Sequence, residues 1–90
     1  MELRRRTVHK EFLGELWFDG ICFELIRADG RRHYRDPRGR IKIFHPVPDG
    51  PRFRVWLLSG PSFIKTYPRG LTGRNQALRF AAFWLRRHPE

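Results

Sequence analysis

The chain is 90 residues long, 40% hydrophobic and 14% aromatic, with a formal net charge of +10. That length makes one domain around one core, and the aromatic content sets it apart from disordered chains of similar charge. The single cysteine, Cys22, excludes an intramolecular disulfide, and no Cys/His cluster has the spacing of a structural zinc site.

Residues 1–10 read as a flexible basic arm containing Arg4, Arg5 and Arg6, and residues 11–90 as the folded domain. The arginines are followed by Thr7-Val8-His9-Lys10-Glu11 and no apolar stretch, so no export signal is expected. The longest apolar run, Phe80 to Leu85, falls far short of the roughly 20 residues a membrane span needs. These features predict a soluble, cytoplasmic protein.

Leu13 to Phe18 and Ile21 to Ile26 flank Asp19-Gly20, the dipeptide of a two-residue type I′ hairpin. His33 to Arg35 forms the next strand after the Asp29-Gly30 turn. Arg40 to His45 follows the turn Asp36-Pro37-Arg38-Gly39. Arg52 to Leu58 comes after Asp49-Gly50, and Phe63 to Tyr67 lies between Gly60-Pro61 and Pro68-Arg69-Gly70. From Asn75 to Arg87 the period changes. Leu78, Ala81, Ala82 and Leu85 recur at helical spacing, with Thr72 or Asn75 available as N-cap and Pro89 just past the end. The expected fold class is α+β, an antiparallel β-meander of about four to six short strands packed against one C-terminal α-helix.

No acidic side chain lies between Asp49 and Glu90, whereas Arg52, Arg54, Lys65, Arg69, Arg74, Arg79, Arg86 and Arg87 do. Such an imbalance opposes compaction and suits a polyanionic partner. Strand parity puts Phe53, Val55 and Leu57 on one face and Arg52, Arg54, Trp56 and Leu58 on the other. On the preceding strand, Arg40, Lys42 and Phe44 alternate with Ile41, Ile43 and His45. The second faces together predict a cationic surface set with aromatics, crowded onto one side of the molecule. Arginine gives bidentate phosphate contacts and Trp or Phe stacks on bases. The competing expectation is a second packed layer that buries Trp56, Phe44 and Leu58.

Further cations (Arg31, Arg32, Arg35 and Arg38) fall in or near turns, where they suit backbone contacts. On the helix, Gln76, Arg79, Phe83 and Arg86 share the face opposite the apolar stripe. The expected function is therefore non-catalytic binding of DNA or structured RNA, regulatory or accessory in character, without a cofactor or metal. A regulator or inhibitor that docks on an acidic surface of a larger enzyme is the alternative. A metal-independent ribonuclease is the third reading, with His33, His45 and Lys42 as the only convergent set available to it. Cys22, inside an apolar run, is expected to be a buried inert thiol.

Overall fold

The computed structural model describes residues 10–46, 52–57 and 63–89. The arginine arm, the Asp49-Gly50 turn and Leu58 lie outside the described residues. Six strands run in chain order: β1 (Lys10–Phe18), β2 (Ile21–Ala28), β3 (Arg31–Arg35), β4 (Ile41–Phe44), β5 (Arg52–Leu57) and β6 (Phe63–Pro68). They form one antiparallel sheet in the order β1-β2-β3-β4-β5-β6, each strand pairing with the next. A single helix, α1 (Leu71–Arg87), packs on one face of it. The fold is thus the α+β meander that strand spacing and turn chemistry predict.

The first two hairpins close through Asp-Gly because both central residues take positive φ: 51° and 78° at Asp19-Gly20, 53° and 79° at Asp29-Gly30. The third turn is built around Asp36. Its backbone oxygen accepts from the Gly39 amide at 2.8 Å, and its buried Oδ1 accepts from the Ile41 amide at 2.9 Å. Both outer strands are interrupted. The β1–β2 register shifts between Phe12 and Gly14, leaving Leu13 unmatched, and the β5–β6 register shifts opposite Ile64.

Period-two alternation sends Phe23 from β2, Tyr34 from β3, Ile41 and Ile43 from β4, and Phe53 and Val55 from β5 to one face. There they meet Ala77, Leu78, Ala81, Ala82 and Leu85 of α1. Three alanines in the contact stripe let the helix lie close to the sheet. Phe80 and Trp84 cover its flanks.

The helix starts four residues ahead of the predicted Asn75. Its N-cap is Gly70, with φ 107°, and neither Thr72 nor Asn75. The first turn is also crowded: a Cβ on Gly73 would stand 1.6 Å from the Pro68 carbonyl oxygen. Strand and helix are joined so tightly that only glycine fits there. Asn75 has another role, accepting from Arg74 Nε at 3.2 Å and Nη2 at 3.0 Å.

Candidate functional site

The sheet face away from α1 has no covering layer among the described residues. Cross-strand register builds it in rows. The central row runs Phe12, Ile26, His33, Phe44, Arg54 and Thr66 across all six strands. The row on one side runs Glu15, Glu24, Arg35, Lys42 and Trp56. Two residues the other way along each strand lie Lys10, Ala28 and Arg31, with Arg52 farther across.

Rings dominate the middle. His33 stacks obliquely on Phe44 at 5.2 Å between centroids, and Phe44 on Trp56 at 5.7 Å. Phe44 and Trp56 are half-buried. Neither is sealed in the interior. Ile26 and His33 are 3% and 4% exposed and form the floor beneath their neighbours.

Six cations (Lys10, Arg31, Arg35, Lys42, Arg52 and Arg54) face two carboxylates, Glu15 and Glu24, on this surface. Glu24 Oε1 accepts from Arg35 Nε at 3.0 Å. Lys10, Arg31, Lys42 and Arg52 make no ion pair among the described residues. Burial, followed by the charges of Lys42, Arg35 and Lys10, holds the His33 imidazole down at about 4, so it is neutral at physiological pH. Lys42 is pushed below the ordinary lysine value by burial and then by Lys10 and Arg35. These three cations therefore gather around one ring, where an anion would relieve their mutual repulsion.

Comparison with family models, with curated proteins and with solved structures finds no match to this chain.

Of the sequence-predicted residues, the structure brings Arg31, Arg35, Lys42, Arg52, Arg54 and Trp56 onto the open face. It does not bring Arg40 there. Arg40 precedes β4 and turns to the helix side: Nη1 donates to the His88 carbonyl, Nε lies 3.5 Å from Asp36 Oδ2, and the guanidinium stands 5.8 Å from the Trp84 ring. The free carbonyls of a helix C-terminus attract a cation, and that outweighs strand parity. Arg38 reaches the same end, donating to the Pro89 carbonyl at 3.5 Å. Arg32 is exposed on the helix side of β3, near His45.

Arg79, Phe83 and Arg86 do point outward from α1, as the periodicity predicts. Two of them also tie the helix to the first hairpin. Arg86 Nη2 donates to the Asp19 carbonyl at 2.6 Å, and Arg79 Nε lies 4.0 Å from Asp19 Oδ2. Phe83 is 52% exposed, with the Arg87 guanidinium 4.9 Å from its ring. Positive charge is thus distributed over both sides of the molecule and is not confined to one. Cations also lie over rings on the helix side, at Trp84, Phe18, Tyr67 and Phe83; the open face differs in carrying its rings as one cross-strand series, His33, Phe44 and Trp56.

The histidines of the ribonuclease reading do not converge. His33 lies on the open face, whereas His45 packs between Tyr34 and Phe53 on the helix side, at 5.0 and 5.4 Å. Burial also lowers the His45 pKa. Cys22 is half-exposed and not buried as expected, because it alternates with the core-facing Ile21 and Phe23 and so lies on the open side. Its thiol is nonetheless pushed up by desolvation and by Glu15 and Glu24, away from nucleophilic character. No group of His, Cys, Asp and Glu among the described residues can hold a metal ion, and no described helix is long and apolar enough to cross a membrane.

Sequence reasoning missed Lys10, assigned to the arm, and Ile26, and took His33 for a ribonuclease candidate and not for part of the floor. Lys10 begins β1 and pairs with Ala28. Register was the signal needed. Once the Asp29-Gly30 hairpin is drawn with a two-residue loop, Ile26 falls opposite His33.

Proposed function

We propose that this protein binds nucleic acid through the open face of its sheet, without catalysing a reaction. One observation carries the reading: Lys10, Arg35 and Lys42 converge on the His33–Phe44–Trp56 row, with Glu24 the one carboxylate paired among them. Like charges held together beside half-buried rings cost stability in the free protein. A polyanion neutralises them and releases its own counterions. The formal charge of +10 supplies long-range attraction in the same sense.

Salt dependence tests the reading. With six phosphate contacts, raising salt from 50 to 200 mM should weaken binding of mixed-sequence nucleic acid by roughly 10³-fold. Binding that is weak and equal at both salt concentrations would remove the proposal. Docking on an acidic protein draws on a different observation, the exposed Phe83 beneath Arg87 on the outer side of α1. That contact would survive substitutions on the sheet.

A further inference from the structure

Resting on the reading above and going one step beyond it, we propose that the open face takes an unpaired nucleic-acid strand, its bases lying on Phe44 and Trp56 and its phosphates along the flanking cations. The pattern across the sheet is a ring-bearing row with a cationic row on one side and, on the other, Arg35 and Lys42 sharing their row with Glu15 and Glu24. Phe12, His33 and Phe44 fall in the central row. Arg35 and Lys42 lie on one side with Trp56, and Lys10, Arg31 and Arg52 on the other. A single strand of nucleic acid has the complementary pattern, a planar aromatic group and an anion in every residue. An acidic polypeptide lacks the planar groups, and a duplex hides their faces inside its own stack.

Geometry favours the unpaired form for a second reason. Reading a duplex requires an element that enters a groove, such as a helix or a two-stranded ribbon. Here the helix lies on the far side of the sheet, and two of its outward arginines are engaged with Asp19. The open face offers ring surfaces instead. The buried His33 ring supports Phe44 from β3, and Phe44 on β4 supports Trp56 on β5, so both aromatics are fixed before any ligand arrives. Fixed rings lose little freedom on binding. Six strands at about 4.8 Å spacing give a platform roughly 24 Å across. That is room for about four nucleotides, the low end of known single-strand site sizes.

The test uses the full chain with fluorescein-labelled strands at 50 mM salt: oligo-dT and oligo-rU of twelve nucleotides, and a twelve-base-pair hairpin duplex. Anisotropy should show the unpaired strands bound at least 10-fold more tightly than the duplex, although the duplex carries more phosphates. Phe44→Leu, which keeps apolar bulk, and Trp56→Ala should each weaken strand binding by roughly 5- to 150-fold and leave duplex binding within about twofold. The dT and rU arms separate DNA from RNA.

Duplex bound as tightly as the single strands, or more tightly, overturns this inference and leaves the broader nucleic-acid reading standing. No binding by any of the three overturns both and favours a protein partner. The comparison of strand with duplex needs only the wild-type protein. Should a ring variant fail to fold, ultraviolet cross-linking of the wild type to oligo-dT decides: cross-links in β4 and β5 support the assignment, and cross-links confined to α1 refute it.

Discussion

Acidification should destabilise this protein through His33, and the size of the effect follows from where that ring lies. In the unfolded chain an imidazole titrates near its ordinary 6.5, whereas in the fold burial and the neighbouring cations lower it to about 4. The unfolded state therefore takes up a proton first. Stability is complete above the unfolded value, begins to fall as pH drops below it, and has lost the full contribution below the folded value. The two pKa values give a loss of about 2 kcal/mol at pH 5 and about 3 kcal/mol at the acid limit. His45, lowered by burial and by Arg32 and Arg74, acts in the same direction.

The variant His33→Leu isolates the effect, since leucine suits a site between Ile26 and Phe44 and cannot titrate. Urea unfolding at pH 7, 6 and 5 should show a wild-type stability that falls by about 2 kcal/mol more than the variant's across that range. A ring proton titration followed by NMR should place the His33 midpoint well below the ordinary value. Parallel stability curves for the two proteins would refute the reasoning, because they would mean that His33 is not held neutral by the fold.

Three further outcomes are expected. Gly73→Ala forces a methyl group onto the Pro68 carbonyl and should cost more than about 3 kcal/mol, read as a shift in the urea midpoint. Asp36→Ala removes the acceptor for the buried Ile41 amide and should cost about 1–3 kcal/mol, whereas Asp36→Asn keeps an acceptor and should recover most of it. Arg31→Ala with Arg52→Ala should lower the salt slope for a single strand by about 1.4. The same pair should change folding stability by less than about 0.5 kcal/mol, as measured by thermal unfolding.

The meander was legible because its turns are encoded locally. Asp19-Gly20 and Asp29-Gly30 need no distant contact to adopt positive φ, and alternation around Ile41, Ile43, Phe53 and Val55 fixes which face is buried. The helix start was not legible. Two glycines, Gly70 and Gly73, read as breakers, whereas Gly70 supplies a positive φ of 107° and Gly73 leaves room for the Pro68 carbonyl. Arg40 was misplaced for a comparable reason: its partner His88 is 48 residues away in the chain. Arg86 likewise answers to Asp19, 67 residues distant. Part of the open face could be read from strand parity, since Lys42, Phe44, Arg52, Arg54 and Trp56 alternate with core residues on adjacent strands. Its floor could not, because a buried histidine opposite an isoleucine becomes visible only when strands are aligned in register.

If the protein binds a nucleic-acid strand as proposed, the interruptions at Leu13 and Ile64 bear on how its copies distribute along that strand. A sheet with unbroken margins invites another copy to zip onto it, but here each margin carries a kink that spoils the match of amides and carbonyls. Neighbours also repel, each carrying +10. Molecules on a long strand would settle as separate beads and not merge into a ribbon, and their saturation curve would be that of independent sites.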